Sequence, residues 1–256
     1  MTRAALPPQT PQGYPKLPLP SASADAIQAA KNLHLYLKNT PTPQHTRQSF
    51  QTFETWFHTF QTNTPLILDS GCGTARSTRI LARKFPNAAV LGIDRSSDRI
   101  ARLPGPHARG DNQLPSNTLL LRAELAAFWR LLYTAGYSSS ICQHYLLYPN
   151  PVPKARQRKR RWQFHPILPI LVSLGGSIEV RSNWLSYLQE FESAVHGLAN
   201  GSGVPLDVKE AALSKLPLQL TSLSLSTSSE CLTRFEIKYF ERGQGLYSLR
   251  SDLPTR

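Results

Sequence analysis

The fold is decided by residues 65–103, PLILDSGCGTARSTRILARKFPNAAVLGIDRSSDRIARL. The apolar run Leu66 to Leu68 is bounded by turn-forming residues, which predicts a buried strand of a parallel sheet. A glycine turn and an amphipathic segment at helical spacing follow, and a second apolar run ends at Asp94. Strand, glycine turn, helix, strand and acid form the first half of a nucleotide-binding βαβ unit.

The turn itself runs from Gly71 to Gly73, and Arg76 stands where a dinucleotide fingerprint has its third glycine. Glycines in such a turn let the backbone approach a ligand closely, and an acid after the second strand accepts hydrogen bonds from ribose hydroxyls. Asp69 and Asp94 therefore suit S-adenosylmethionine, which has an ammonium group and a ribose but no phosphate. The pattern resembles motifs I and II of the class I methyltransferases. A Rossmann-like turn around another nucleotide is the alternative.

The whole chain has 256 residues, which is enough for one α/β domain with an appendage. Its net charge of +13 and pI near 10.0 indicate a polyanionic partner such as nucleic acid. Cys72, Cys142 and Cys231 are scattered and odd in number, so neither a disulfide framework nor a metal site is predicted. No apolar run approaches the roughly 18 residues of a membrane span, and the amino terminus lacks the apolar core of a signal peptide. We expect a cytoplasmic protein that is a monomer or a homodimer.

Three regions follow from composition and patterning. Residues 1–22 contain many Pro, Gln and Ser, which predicts a disordered or loosely attached arm. We expect residues 23–62 to form a helical appendage and residues 63–256 to form the S-adenosylmethionine-dependent domain. An aromatic stripe in the appendage is either core packing, which its helical spacing favours, or a base-stacking platform. The stripe consists of Phe50, Phe53, Trp56, Phe57 and Phe60.

Further apolar runs complete the predicted sheet. The third to seventh strands are predicted at residues 117–122, 139–148, 177–181, 220–225 and 232–240. The predicted fold is α/β, a Rossmann-like, seven-stranded, mostly parallel twisted sheet with helices on both faces. Glu124 at the carboxyl end of the third strand has two interpretations of comparable weight. It is either an acid near the adenine amino group of a methyl donor or a solvated acid that the helix dipole favours.

A basic segment follows the fourth strand, where open α/β sheets bind ligands. A proline-rich loop carries Asn150 into this crevice, and the cations come directly after it. Such dense positive charge beside a reaction site suits a phosphate backbone, whereas a nuclear-localisation signal or an idle solvated face are the alternatives. The cations are Lys154, Arg156, Arg158, Lys159, Arg160 and Arg161.

With this segment a resemblance to one family becomes specific. The bacterial tRNA (guanine-N7)-methyltransferases carry Pro-Asp-Pro-Trp-x-Lys-x-Arg-x-x-Lys-Arg-Arg after the fourth strand, then His-Pro and Gly-Gly. Residues 149–161 of this chain are PNPVPKARQRKRR, and the His-Pro and Gly-Gly pairs follow at residues 165–166 and 175–176. Residues 233–236, TRFE, resemble the Thr-x-x-Glu of that family. The resemblance implies transfer of a methyl group from S-adenosylmethionine to N7 of a guanine in the variable loop of tRNA.

Carried over by position, the resemblance implies roles for single residues. The methyl donor would be held by Asp69, Gly71, Gly73, Asp94, Glu124 and Asn150, and Asn150 would also be the catalytic residue. The tRNA would be held by Lys154, Arg156, Arg160, Asn183, Thr233 and Glu236. Four positions depart from the family, since Asn150 and Asn183 replace acids, Val152 replaces the tryptophan, and Asp69 is a mild replacement of the usual Glu.

The chemistry explains why an amide at position 150 is compatible with activity. Guanine N7 has a free lone pair and no proton to lose, so its attack on the methyl group needs no general base. The barrier is lowered mainly by alignment of N7 with the methyl group. Asn150 keeps an acceptor oxygen but lacks the charge that strengthens such bonds, which predicts a weaker or retargeted enzyme. The alternatives are methylation of another RNA or a small molecule, and a non-catalytic RNA-binding relative.

Overall fold

The computed structural model describes residues 21–101 and 113–251. Its helices are α1 Ser21–Lys31, α2 Leu33–Asn39, α3 Gln44–Phe57, α4 Arg76–Lys84, α5 Ser97–Ala101, α6 Leu125–Thr134, α7 Leu168–Ser173, α8 Leu185–Asn200, α9 Leu206–Leu213 and α10 Arg234–Glu241. Its strands are β1 Leu66–Ser70, β2 Ala89–Asp94, β3 Thr118–Arg122, β4 Ile141–Leu147, β5 Ser177–Ser182, β6 Leu218–Ser222 and β7 Tyr247–Ser251. Two turns of 3-10 helix, Ala155–Arg160 and Trp162–Phe164, lie in the basic segment and directly after it.

The strands form one seven-stranded sheet in the order β3-β2-β1-β4-β5-β7-β6. Strands β1 to β5 pair in parallel, whereas β7 runs antiparallel to both of its neighbours. The order in which strands are added reverses at β1, since β2 and β3 extend the sheet to one side of β1 and β4 and β5 extend it to the other. Ligands of open α/β sheets bind at this switch point, outside the carboxyl ends of the strands.

Alternate residues of β1 pack into two different cores. Leu66 and Leu68 belong to a large cluster that includes side chains of α3, α6, α7 and α8. Ile67 instead packs in a smaller cluster with Leu81 and Ala82 of α4. Side chains of a strand alternate between the two faces of its sheet, so helices cover both faces. The predicted α/β architecture is confirmed.

The amino-terminal helices pack on the face of the larger cluster. Phe50, Phe53 and Phe57 of α3 are buried there, which confirms the core interpretation of the aromatic stripe. Helix α1 lies against α8, where the Ser23 hydroxyl donates to the Ser193 carbonyl at 2.7 Å. Residues 1–20 of the predicted arm lie outside the described residues, and α1 begins at Ser21.

The prediction of a strand at residues 232–240 is wrong, because this segment contains α10. The Thr233 hydroxyl accepts the Glu236 N–H at 3.0 Å, and the Glu236 carboxylate accepts the Thr233 N–H at 3.2 Å. This is a capping box, a local signal that starts a helix and here outweighs the apolar pattern. The last strand is therefore β7, and β6 overlaps its predicted range of 220–225 only in part.

Candidate active site

Five predicted site residues lie at or just beyond the carboxyl ends of parallel strands. Asp69 is the penultimate residue of β1, Asp94 is the last residue of β2, and Glu124 is two residues beyond β3. Asn150 and Asn183 follow β4 and β5. Parallel strands end at the same edge of the sheet, so the fold brings these five residues to one edge.

Asp69 is buried at this edge, with 1% of its surface exposed. Its Oδ2 accepts the hydroxyls of Ser77 and Thr78, both at 2.6 Å, and these residues belong to the first turn of α4. Its Oδ1 is buried and has no hydrogen-bond partner among residues 21–101 and 113–251. Burial raises the pKa of Asp69 from 3.8 to about 6, against the two hydroxyl bonds, which lower it. A buried carboxylate oxygen without a partner indicates a missing donor or cation.

The glycine turn is closed by Asp94, which is 3% exposed. Its Oδ2 accepts the Gly73 N–H at 2.9 Å, and its Oδ1 accepts the Ser96 N–H at 2.8 Å. Gly71 and Gly73 have φ angles of 85° and 58°, and a Cβ at either position would meet no atom of the described residues within 4 Å. The turn thus adopts a conformation that favours glycine and leaves open space beside it.

The donor set fits S-adenosylmethionine. Asp69 Oδ1 lacks the cation or donor that the ammonium group of this ligand would supply. Asp94 Oδ1 accepts one N–H and has a second lone pair for a ribose hydroxyl, whereas Oδ2 also accepts the Arg99 guanidinium at 3.4 Å. Among the described residues, no group of three or more His, Cys, Asp and Glu side chains could hold a metal ion. No helix in the same residues is long and apolar enough to cross a membrane.

A buried hydrogen-bonded chain, which the sequence did not reveal, lies directly before the glycine turn. Trp129 of α6 donates its indole N–H to the Ser70 hydroxyl at 3.0 Å, and this hydroxyl lies 2.8 Å from His144 Nε2. Burial lowers the pKa of His144 to about 3, so its ring is neutral and its Nε2 shares one hydrogen bond with the Ser70 hydroxyl. The chain ties β1 to β4 and α6 at the end where the turn begins.

The loop after β4 has a strained backbone. Tyr148 and Val152 adopt left-handed conformations with φ angles of 54° and 43°, which are unfavourable for non-glycine residues. Between them, the exposed Asn150 accepts the Val152 N–H on its Oδ1 at 3.0 Å. This bond fixes the orientation of the Asn150 amide. Such strain persists only where the surrounding structure determines the conformation.

A buried ion pair holds the backbone of this loop in place. Arg161, 2% exposed, donates to both carboxylate oxygens of Glu190 at 3.1 and 3.0 Å. Two further N–H groups of its guanidinium donate to the Val152 carbonyl at 3.2 and 3.1 Å. The prediction that Arg161 faces a phosphate backbone is therefore wrong. The basic spacing gave no sign of an inward-facing arginine, and Glu190 lies 29 residues away.

The other cations of the segment divide into two groups. Arg158 pairs with Asp25 of α1 at 2.6 Å, and its guanidinium lies 4.0 Å from the centre of the Phe164 ring. Lys154, Arg156 and Arg160 are exposed, as the predicted contact with a polyanion requires. The basic segment is therefore anchored to α1 and α8, and its exposed cations point outward.

Three predicted tRNA-binding residues have internal partners. Thr233 and Glu236 form the capping box of α10, and Glu236 is fully buried. The Glu236 Oε1 accepts Arg181 at 2.9 Å and the Tyr148 hydroxyl at 3.2 Å, which ties α10 to β5 and to the loop. Asn183, 6% exposed, donates to Gln244 Oε1 at 3.1 Å. Neither Arg181 nor Tyr148 was predicted, because their partners are 55 and 88 residues away.

Glu124 takes the N-cap position of α6 without a side-chain cap. Its backbone N–H donates to the Thr46 hydroxyl of α3 at 3.1 Å, and its side chain is exposed. This placement is compatible with both interpretations of Glu124, as a contact to adenine and as a solvated acid at a helix start.

Comparison with known proteins assigns the chain to a family. Residues 63–249 match the model of the family described as "Putative methyltransferase". The chain is 27% identical over 194 residues to a tRNA (guanine-N(7)-)-methyltransferase of Mycobacterium ulcerans (strain Agy99), covering 74% of this chain and 63% of that protein. A protein of the same name from Mycoplasma capricolum subsp. capricolum (strain California kid) is 27% identical over 134 residues, with coverages of 52% and 59%.

A solved structure shares the fold. The structure described as an antibiotic related methyltransferase superposes with a TM-score of 0.50 at 13% identity, covering 78% of this chain and 91% of that one. The matched part of the chain spans only 63% and 59% of the two tRNA (guanine-N(7)-)-methyltransferases, to which it is a divergent relative. Since the family model covers most of its length, the chain belongs to this methyltransferase family.

Proposed function

We propose that the protein transfers a methyl group from S-adenosylmethionine to N7 of a guanine in tRNA. The observation that carries this proposal is the meeting of two features at one sheet edge. The first is a glycine turn between the buried acids Asp69 and Asp94. The second is the Asn150 loop, from which exposed cations continue. The names of the two relatives at 27% identity support tRNA as the substrate.

The donor side of the site consists of Asp69, Asp94 and the glycine turn between them. These residues would bind and orient the methyl donor, which supplies an electrophilic methyl group on a sulfonium. Asp69 Oδ1, which has no hydrogen-bond partner in the described part of the chain, would accept the ammonium group. Asp94 would bind the ribose hydroxyls while it holds the Gly73 N–H and thereby the shape of the turn. The hydroxyls of Ser77 and Thr78 keep the Asp69 carboxylate in place.

Asn150 would position the guanine. Its Oδ1 already accepts the Val152 N–H, and the second lone pair of this oxygen remains for a guanine N–H. Nitrogen N7 needs no base, so the contribution of the loop is alignment of N7 with the methyl group. The exposed Lys154, Arg156 and Arg160 would bind phosphates of the tRNA and fix its register.

The test is transfer of labelled methyl from S-adenosylmethionine to unmodified bulk tRNA, followed by nucleoside analysis. We expect the label in 7-methylguanosine. The Asp94→Asn variant should lose transfer, whereas Asp98→Asn, which changes an exposed acid of α5 by the same chemistry, should keep it.

Other outcomes would overturn the proposal in distinct ways. Label in another nucleoside, or in a small molecule instead of RNA, would indicate a retargeted enzyme. A protein that binds the donor and tRNA but transfers no label would be a non-catalytic RNA-binding relative, as the amides Asn150 and Asn183 would explain. A protein that binds no donor would contradict the assignment of the glycine turn.

A further inference from the structure

A second basic surface lies beside the site, on the face of the sheet that α4 covers. We call it the α4–α10 surface and define it by Arg76, Arg79, Arg234, Phe235 and Lys238. Arg76 donates to the Cys231 carbonyl at 3.2 Å, which joins the start of α4 to the segment before α10. Burial lowers the pKa of Arg79, and the charges of Arg83, Arg76 and Arg234 lower it further. The contact of Arg76 with the Cys231 carbonyl, three residues before Arg234, places the start of α4 beside the start of α10.

These arginines do not serve helix stability. Arg76 and Arg234 are the first residues of α4 and α10, where the helix dipole disfavours a cation. Within residues 21–101 and 113–251, no acidic side chain forms an ion pair with Arg76, Arg79 or Arg234. Positive charge that is concentrated against the local dipole and has no acidic ion-pair partner among the described residues is complementary to an external polyanion.

A row of aromatic rings connects this surface to the reaction loop. Phe235 is 49% exposed, and its ring centre lies 6.3 Å from that of Tyr239 at an interplanar angle of 28°. Tyr239 in turn lies 6.1 Å from Tyr148, which is two residues before Asn150. Aromatic rings interleaved with cations form the platforms on which proteins stack the bases of single-stranded nucleic acid.

The α4–α10 surface and the basic segment flank the site from opposite faces of the sheet. Leu232, just before α10, packs with the smaller core cluster of α4. Arg158 of the basic segment pairs instead with α1, which packs on α8 and the larger cluster. An RNA loop that reaches the sheet edge would thus pass between two positively charged regions.

We propose that the α4–α10 surface binds an unpaired segment of the RNA substrate, with Phe235 stacked on a base near the target and Arg76, Arg79 and Arg234 on phosphates. The proposal rests on the proposed function for the class of substrate, but it concerns residues outside the basic segment. Stacking of this kind accepts any base, so the surface would contribute affinity and orientation, whereas the identity of the methylated base would be set elsewhere.

The test is binding of fluorescently labelled, unmodified tRNA to the full chain, measured by anisotropy at several salt concentrations. Phe235→Ala should weaken binding about tenfold without a change in its salt dependence, because stacking is not ionic. Arg234→Gln should weaken binding and lower the slope of log affinity against log salt by about 1, as expected for one lost phosphate contact. Both side chains are exposed, so we expect both variants to fold.

Controls separate a specific contact from a change in net charge. Arg242→Gln removes the same charge at the other end of α10 and should leave binding within about twofold of wild type. Phe235→Tyr should retain binding. If Arg242→Gln weakens binding as much as Arg234→Gln, or if Phe235→Ala binds like wild type, the surface is a solvated face or a protein-binding site and the proposal is overturned.

The Lys154→Gln/Arg160→Gln variant separates this proposal from the proposed function. If that variant loses tRNA affinity while Phe235→Ala and Arg234→Gln do not, only the α4–α10 proposal fails. If the wild-type protein itself binds no tRNA, the proposed function fails with it.

Discussion

The donor side of the site and the loop after β4 differ in burial and in how their polar atoms are held. Asp69 and Asp94 are 1% and 3% exposed, and backbone N–H groups and hydroxyls hold three of their four carboxylate oxygens. In the loop, Asn150 and Lys154 are exposed, and the backbone at Val152 is strained. A small ligand of constant shape suits a fixed pocket, whereas a macromolecule bound through phosphates suits charges that remain in water.

The ion pair of Arg161 and Glu190 is buried in the core and also holds the loop after β4 in place, so it links the core to the loop. Arg161→Met would leave the Glu190 carboxylate buried without its cation, which should lower the free energy of unfolding by about 3–5 kcal/mol. Arg161→Met/Glu190→Leu removes both charges and should recover most of that stability. Urea unfolding measures both variants.

Activity of the double variant separates positioning from stability. The Val152 carbonyl loses both guanidinium donors in this variant, so we expect low methyl transfer from a stable protein, with kcat lowered more than KM. Wild-type kcat in the stable double variant would show that the ion pair only stabilises the fold.

The buried carboxyl group of Asp69 predicts that binding of the methyl donor depends on pH. Burial raises the pKa of Asp69 from 3.8 to about 6, so its contribution to folding is complete below pH 3.8 and is lost as pH rises through about 6. In the proposed site, the ammonium group of the donor would favour the ionised carboxylate. Binding of S-adenosylmethionine should therefore strengthen about tenfold between pH 5 and 7. Calorimetric titration measures this dependence, and the Asp69→Asn variant should bind more weakly with a flat profile; a wild-type flat profile would contradict a contact to Asp69.

The donor side was largely predictable from sequence, and the loop was not. Asp69, the glycine turn and Asp94 are local signals, because each functional residue is within a few positions of the strand that carries it. The supports of the loop depend on partners far along the chain, such as Glu190 for Arg161 and Glu236 for Tyr148. A stretch of six cations contains no local feature that distinguishes the buried Arg161 from its exposed neighbours.

The amide of the loop allows a direct test of how much charge matters there. Asn150→Asp keeps the acceptor for the Val152 N–H and adds the negative charge of the resembled family. Charge-assisted hydrogen bonds are stronger than neutral ones, so kcat for methyl transfer should rise about fivefold. The donor affinity should stay the same if Asn150 acts on the guanine. Single-turnover kinetics with saturating tRNA measure this rise, and unchanged kinetics would show that position 150 does not limit the rate.

The smallest effect is expected for the exposed cations. Lys154→Gln removes one charge that remains in water, so we expect KM for tRNA to rise about threefold, with kcat unchanged. The slope of log affinity against log salt should fall by about 1. Lys38→Gln, an exposed lysine of α2, removes the same charge on a different element and should change neither value. Equal effects of both substitutions would mean that net charge, and not the placement of Lys154 after the strained loop, attracts the RNA. Loss of an exposed phosphate contact should lower affinity without altering the alignment of N7 with the methyl group. A fall in kcat for Lys154→Gln would therefore indicate that this side chain helps to fix that alignment.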